Sequence, residues 1–256
     1  MHPIEHLRYV ARATGADASL LTQEAASALS VFAGDPHALL TGAKSLLAKQ
    51  AALGPVWWMC SRLLIASDAR EAAYEVGREL SDDPTPRALD EALADGATIV
   101  ISGWPDIALR ALADRPDLTV LIIDVEGQGH SAVRRLERND VEAEAVDPAH
   151  IAGAVAEADV CIVEAGAMGD SAALTDVGGF TLAAVAKAMG TPAWLVSGVG
   201  RQLPEAYWQE IVHRIAEPDL PAFCEPFEVV SRSLFSRTFG PGLDCPTLPE
   251  LLRPVR

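Results

Sequence analysis

Hydrophobic positions in the first third of the chain repeat at helical intervals. In SRLLIASDAREAAYEVGREL, for example, Leu63, Leu64, Ala73 and Val76 recur on a helical period, and runs of β-branched residues are few. This pattern is typical of amphipathic helices. The sequence therefore predicts a helical N-terminal region over residues 1–85, which the turn-forming stretch SDDPTP closes as a linker.

A different pattern begins after this linker. Short apolar runs alternate with helix-like segments, and such alternation is typical of βαβ units around a parallel sheet. The five runs are 97–102, 118–124, 141–146, 159–165 and 193–198. We predict that residues 86–256 form a doubly wound, mostly parallel, Rossmann-like α/β domain. Ligands of such domains bind outside the carboxyl ends of the strands.

Composition narrows the choice of partners. The 256 residues include 36 acidic and 20 basic side chains, for a net charge of -16. A surface this acidic repels nucleic acid and anionic membranes. There is no long uncharged apolar run, no apolar signal segment at the N-terminus and no paired spacing among the four cysteines. We expect a cytoplasmic protein that binds no nucleic acid, membrane, metal or cofactor.

Five loops follow the predicted strands and can reach one ligand crevice. They are 102–106, 124–130, 146–150, 164–179 and 197–204. The second contains a GxGxxA pattern, formed by Gly127, Gly129 and Ala132, between a strand and a helix. Such a pattern indicates dinucleotide binding, although the glycines begin three residues beyond Asp124. Glycines that only shape a turn are the alternative, and both interpretations stay open.

Several spaced segments resemble the initiation factor 2B-related family. They are TIVISGWPDIALRAL, the stretch 120–198 and FEVVSRSLFSRTFGPG, and the resemblance covers roughly residues 40–245. The most specific segment is TDVGGFTLAAVAKAMGTPAWLV, which stands where family members carry Asn-Lys-Ile-Gly-Thr. The family includes regulatory alpha, beta and delta subunits of the eukaryotic nucleotide-exchange factor. It also includes methylthioribose-1-phosphate and ribose-1,5-bisphosphate isomerases. The resemblance implies a homodimer paired through the sheet domain.

Departures from the family pattern fall at its chemically active positions. Where the isomerases use a cysteine the chain has Gly103, and where they use an aspartate it has Ala165, next to Glu164. The family's arginine is absent from the loop 124–130, and its lysine is replaced by Asp176. The chain therefore resembles the isomerases without their catalytic pair.

The predicted crevice carries an excess of acids. The acids of the strand-end loops are Asp106, Asp124, Glu126, Asp147, Glu164, Asp170 and Asp176, and the cations are His130, His150 and Arg201. Such a site repels a phosphate and favours a cationic or metal-bridged ligand, or none. Asp106 and Asp147 stand where helices begin, so we expect them to act as caps or first-turn residues. For Glu164, Asp170 and Asp176, a functional role and a surface role are equally supported.

The catalytic residues are unknown from the sequence. The candidates are Glu164, Asp170 and His130, the last as an acid–base partner of Glu126. Predicted ligand-binding residues are Gly103, Asp124, Glu126, Gly127, Gly129, Gly166, Gly169, Asp176, Gly178, Gly179 and Arg201. The glycines would allow close approach of backbone N–H groups, and Arg201 would contact an anion.

Three functions remain open at this stage. The first is a non-catalytic or regulatory ligand-binding homologue, the second an aldose–ketose isomerase of sugar phosphates with substituted residues, and the third a Rossmann-type nucleotide-binding protein. Phe227, Leu234, Phe235 and Phe239 make the C-terminal tail apolar. Such a tail predicts a dimer interface, and the alternative is that it folds back on its own sheet.

Overall fold

In the described part of the chain, five helices precede the first strand. The computed structural model describes residues 17–216 and 226–253. The helices are α1 (Ala18–Ser30), α2 (Pro36–Leu47), α3 (Gly54–Ile65), α4 (Ala69–Ser81) and α5 (Thr85–Asp90). The side chains of Asp17, Asp35 and Asp68 accept hydrogen bonds from the first free N–H groups of α1, α2 and α4, which is why these helices begin where they do.

The remaining elements alternate along the chain. The strands are β1 (Thr98–Ser102), β2 (Thr119–Ile123), β3 (Glu142–Val146), β4 (Val160–Glu164), β5 (Ala167–Met168), β6 (Ala172–Asp176), β7 (Ala193–Val196), β8 (Phe227–Ser231) and β9 (Arg237–Phe239). The helices are α6 (Asp106–Leu112), α7 (Gly129–Glu137), α8 (Ile151–Glu157), α9 (Gly179–Met189) and α10 (Glu205–Ile215).

Six strands form one parallel sheet in the order β3-β2-β1-β4-β7-β9. Each of the five predicted apolar runs contains one of its strands. Helices α5, α6 and α7 cover one face, and α8 and α9 cover the other. The predicted doubly wound α/β fold is therefore confirmed. Because the strand order reverses between β1 and β4, a crevice opens at their carboxyl ends.

The stretch 164–179 is not the loop that its small residues predicted. It contains β5 and β6, and β6 pairs with β8 to complete a three-stranded antiparallel sheet. Alanine and glycine carry no strand signal of their own. The partner strand lies some fifty positions further along the chain and supplies the pairing instead.

The apolar tail folds onto its own chain. Phe239 is buried in β9 at the edge of the parallel sheet, and Phe227, Leu234 and Phe235 pack half-buried against the interior. These four side chains were the reason to expect an interface in the tail, and each of them is at least partly covered by the chain itself. A dimer interface that includes other parts of the tail stays a prediction. The alternative, in which the tail folds back, is the arrangement observed.

One hydrophobic core joins the N-terminal helices to the C-terminal half. Trp57 and Trp58 of α3 are buried in it together with Tyr207 and Trp208 of α10. The hydroxyl of Tyr207 accepts a hydrogen bond from the N–H of Leu248. Whether residues 1–85 fold as a unit of their own stays a prediction. In the described part of the chain, no helix is both long and apolar enough to cross a membrane.

Candidate functional site

A cavity of about 1230 Å³ lies at the carboxyl ends of β1 and β4. Its floor is formed by the strand-end segments 102–106, 125–128, 162–166 and 174–179. Residues of α1 and the segment 48–53 contribute a wall from the helical region. The cavity therefore lies where sheet topology places ligand sites, and it is closed partly by helices outside the sheet.

A buried ion pair holds one side of the cavity. Nη1 of Arg201 donates to Oε1 of Glu164 at 2.7 Å and to the carbonyl oxygen of Ala165 at 2.7 Å. Oε2 of Glu164 accepts the N–H groups of Ile107 and Ala108 at 2.8 and 3.1 Å. Both carboxylate oxygens are occupied, and the carboxylate sits against the positive end of α6. The arrangement ties β4 to the start of α6.

Arg201 is therefore not a free cation. Its side chain is 4 % exposed, and its first contact is with a protein carboxylate rather than with an anionic ligand. The second nitrogen, Nη2, is buried and has no hydrogen-bond partner among the described residues. Oγ of Ser102, another residue of the cavity wall, is in the same situation.

Asp106 carries a carboxyl group that titrates close to neutrality. It lies in the first turn of α6, as the sequence predicted, but its side chain does not cap the helix, because Glu164 does. Its Oδ1 instead accepts from Nε1 of Trp104 at 2.7 Å. Burial, followed by the negative charges of Glu164 and Asp17, raises the pKa of Asp106 from 3.8 to about 6.

Asp176 and Glu126 face the same cavity. Asp176 is open to the water of the cavity, although the cavity walls surround much of its carboxyl group. Burial within these walls raises its pKa, the charges of Asp106 and Glu126 raise it further, and Arg201 lowers it. Glu126 is exposed and has a left-handed backbone, with φ at 54°. Asp106 and Glu126 are therefore each within electrostatic reach of Asp176.

Two cations in the cavity wall were missed from the sequence. Lys49 follows α2, and Arg214 lies in α10. The Arg214 guanidinium is paired with Glu210 at 2.7 Å and stacks on the Trp57 ring. Neither residue has a sequence signal that links it to the cavity, because both lie far along the chain from the strand-end loops.

Several predicted acids fall outside the cavity lining. Oδ1 of Asp124 accepts the N–H of Gly129 at 2.6 Å, and Asp147 caps the 3-10 turn 148–150 as predicted. Asp170 is exposed in the β5–β6 hairpin. The expected gathering of seven acids is therefore corrected to four, which are Asp106, Glu126, Glu164 and Asp176.

His130 is not paired with Glu126. Its side chain is 70 % exposed, and its Nε2 lies 3.7 Å from Oδ2 of Asp124. It does not line the cavity. Asp170 does not line the cavity either, so of the three catalytic candidates only Glu164 does. Its carboxylate is engaged by the ion pair with Arg201.

The predicted ligand glycines divide into two groups. Gly103, Gly127, Gly166 and Gly179 line the cavity. At Gly129, Gly169 and Gly178, by contrast, a side chain would clash with neighbouring protein atoms. A Cβ at Gly169 would lie 2.5 Å from the Trp208 ring, and one at Gly178 would lie 2.6 Å from Ser102 Oγ. The close approach that these three allow is to protein atoms.

The GxGxxA segment does not present a free helix N-terminus. A 3-10 turn, Val125–Gly127, separates β2 from α7, and the Asp124 carboxylate already accepts the first N–H of that helix. A pyrophosphate needs these N–H groups and would meet a carboxylate of like charge. The turn-shaping interpretation of the glycines accounts for this geometry.

The side-chain chemistry available in the cavity includes carboxyl groups, hydroxyls, guanidinium groups and the Lys49 ammonium group. Cys60 is fully buried in α3 and does not line the cavity, and burial raises the pKa of its thiol. Within the ranges 17–216 and 226–253, no group of three His, Cys, Asp or Glu side chains is arranged to hold a metal.

These features define a Rossmann-like α/β protein with a cavity at its topological switch point. No family model and no curated protein sequence matches the chain. Among solved structures, its fold is that of the translation initiation factor eIF2B subunits. Translation initiation factor eIF-2B from Pyrococcus horikoshii OT3 has a TM-score of 0.76 at 15% identity, over 92% of this chain and 94% of that one.

Two further solved structures have a similar fold. The eIF2B beta and delta subunits from Chaetomium thermophilum each have a TM-score of 0.72 at 12% identity over 93% of this chain, and over 86% and 95% of their own chains. At these identities the likeness concerns the fold. The resemblance stated from the sequence is confirmed at that level.

Proposed function

We propose that the chain is a regulatory or non-catalytic protein that binds a small molecule in the cavity at the β1 and β4 strand ends. The observation that carries the proposal is the Glu164–Arg201 ion pair. The ion pair and the start of α6 engage both oxygens of the Glu164 carboxylate. Glu164 is next to Ala165, the position at which the resembled isomerases use an aspartate. With Gly103 at the position of their cysteine, neither partner of the proton transfer is present.

An aldose–ketose isomerase with substituted residues is the second candidate. Asp106 favours it, since a carboxyl group with a pKa of about 6 lines the cavity, and a general base works best with a pKa near the operating pH. A nucleotide-binding protein is the weaker third candidate, because Asp124 occupies the N-terminus of α7.

An assay of ketose formation separates the first two candidates. We expect no turnover of methylthioribose-1-phosphate or ribose-1,5-bisphosphate above background, because general acid–base groups contribute roughly 10²–10⁴-fold each. Turnover that is lost in Asp106→Asn and retained in Asp170→Asn would instead identify an isomerase that uses Asp106. Asp170 is the matched control, since it has the same charge but lies outside the cavity.

Binding is tested separately by thermal shift with sugar phosphates, sugars, amines, nucleotides and divalent metals. A ligand that binds only the folded state raises its stability by RT ln(1 + [L]/Kd). We expect a shift with at least one small molecule and none with nucleotides. No shift with any class would remove the proposed function.

We further propose that the protein is a homodimer of the cytoplasm. One solved structure similar to this chain is a tetrameric eIF2B-beta2-delta2 complex. Phe180 and Val229 are each 48% exposed and line a groove of about 350 Å³ together with Phe227. Cys60, Cys161 and Cys245 are free thiols, which fits a reducing compartment. That nucleic acid and membranes are not partners stays a prediction from the charge of -16.

A further inference from the structure

Three carboxyl groups of the cavity have no salt-bridge partner among the described residues. Asp106, Glu126 and Asp176 line it, and none of them forms an ion pair with another described residue. The remaining charges of the wall are already neutralised, because Glu164 is paired with Arg201 and Glu210 with Arg214. Within the described part of the chain, Lys49 is the one further cation of the lining. The unpaired carboxyl groups therefore outnumber it.

Two of these carboxyl groups act on the third, Asp176. The charge of Asp106 and that of Glu126 each oppose ionisation of Asp176, while Arg201 favours it. Like charges held together inside protein walls cost free energy. A bound cation would remove this cost, and it would do so more strongly than on an open surface, because the walls reduce solvent screening.

An independent observation points to a ligand oxygen in the same cavity. Nη2 of Arg201 and Oγ of Ser102 are buried without hydrogen-bond partners among the described residues, and both residues belong to the cavity wall. A buried donor left unpaired costs about 1–3 kcal/mol. An acceptor oxygen on a ligand would satisfy these groups, which a bare cation cannot do.

We propose that the cavity binds a small oxygen-bearing amine, of the amino-sugar or amino-alcohol class. The ammonium group lies among Asp106, Glu126 and Asp176, and a hydroxyl or ring oxygen accepts from Arg201 and Ser102. This inference rests on the proposed function and gives it a ligand class. It also explains the carboxylate Asp176, which stands where the resembled family has a lysine.

Three sugars that differ mainly in charge test the ligand class. Glucosamine, glucose and glucose 6-phosphate are titrated into the purified protein by calorimetry at about pH 7, where the amine is largely protonated and Asp106 is ionised. We expect heat of binding from glucosamine alone. Binding should weaken as salt is added, since screening reduces charge–charge attraction.

Variants locate the binding site. Asp176→Asn removes one exposed carboxylate of the cavity and should weaken glucosamine binding about tenfold, the equivalent of roughly 1.4 kcal/mol. Asp170→Asn makes the same chemical change outside the cavity and should leave the affinity unchanged. Both side chains are exposed, so both variants are expected to fold, which circular dichroism checks.

Two kinds of result would overturn the inference. If glucose 6-phosphate binds and glucosamine does not, the ligand class is wrong, while a ligand site as such remains supported. If glucosamine binds equally to the Asp176→Asn variant, the amine lies elsewhere. Absence of binding by all three sugars also removes the inference, and the thermal-shift panel then decides the proposed function separately.

Discussion

The pKa of Asp106 is determined by the groups that surround its carboxyl group. Asp106 is 9% exposed and accepts a hydrogen bond from Nε1 of Trp104. The negative charges of Glu164 and Asp17 act on its carboxyl group. Burial and like charges favour the neutral carboxyl group, and the hydrogen bond and Arg201 favour the ion. Burial and the like charges outweigh the hydrogen bond and Arg201, so the pKa of Asp106 is about 6 in the folded state.

This shift predicts a loss of stability as the pH rises. The folded protein retains a proton on Asp106 that the unfolded chain releases near its ordinary pKa of 3.8, so stability declines between about pH 4 and about pH 6. Asp106→Asn should match the parent protein near pH 4. At pH 7 it should be more stable by on the order of 2–3 kcal/mol.

Urea unfolding of both proteins at the two pH values measures the difference. Asparagine retains an oxygen that can accept from Trp104, so the comparison isolates the charge. A stability difference of equal size at pH 4 and pH 7 would show that ionisation of Asp106 does not cost stability.

At the scale of elements, the small antiparallel sheet depends on residues without side-chain bulk. In the β5–β6 hairpin, the N–H of Gly169 donates to the carbonyl of Ala172, and the Trp208 ring of α10 lies directly above Gly169. The small residues of 164–179 therefore allow a helix to pack closely on the hairpin. In the segment first interpreted as a ligand loop, both ends line the cavity, and the hairpin between them belongs to the core.

Two glycine substitutions should have opposite effects. Gly169→Ala places a methyl group 2.5 Å from the Trp208 ring and should destabilise the protein by about 1–3 kcal/mol through overpacking. Gly153→Ala, in α8, meets no atom within 4 Å and should stabilise it by about 0.5–1 kcal/mol through helix propensity.

Thermal unfolding followed by circular dichroism compares the two variants. A Gly169→Ala variant that melts with the parent protein, or above it, would contradict the packing role and return Gly169 to the ligand-binding candidates.

At the scale of the whole molecule, the helical region and the sheet form the cavity together. Segment 48–53 contributes one wall, and the strand ends contribute the other. The N–H of Gly54 donates to the carbonyl of Gly166 at 2.9 Å and joins the two walls. A ligand that contacts both walls would stabilise their association.

The exposed apolar groove leads to a prediction about assembly. We expect a dimer of about twice the chain mass of 27.1 kDa in light scattering at micromolar concentration. Phe180→Glu and Val229→Glu should shift it to monomer, because a charge in an apolar interface is costly. Ile65→Glu is the matched control, since Ile65 is 56% exposed on α3, away from the groove.

A monomeric parent protein would remove the dimer. A dimer that both groove variants leave intact would place the interface elsewhere on the surface. These two outcomes distinguish the assembly itself from its proposed location.

The sequence by itself determined the elements with a local signal. Strands β1, β2, β4 and β7 were predictable because each is a largely apolar run in a covered part of the sheet. Strand β3 was predictable because its glutamates alternate with apolar residues, and the helices between the strands were predictable from their periodicity. Alternation of the two implies the doubly wound arrangement, and with it the edge at which the cavity lies. Asp147 as a cap belongs to the same group.

Only the tertiary structure decided which side chains meet. Strands β5, β6, β8 and β9 have weak patterns of their own and exist through pairing with distant partners. Glu164 was a catalytic candidate until Arg201, 37 positions away, and the start of α6 occupied its oxygens. Lys49 and Arg214 entered the cavity from helices that the strand-end pattern does not contain. The physical reason is common to all of them: pairing, desolvation and charge compensation depend on distances in space, which neighbouring positions in the chain do not encode.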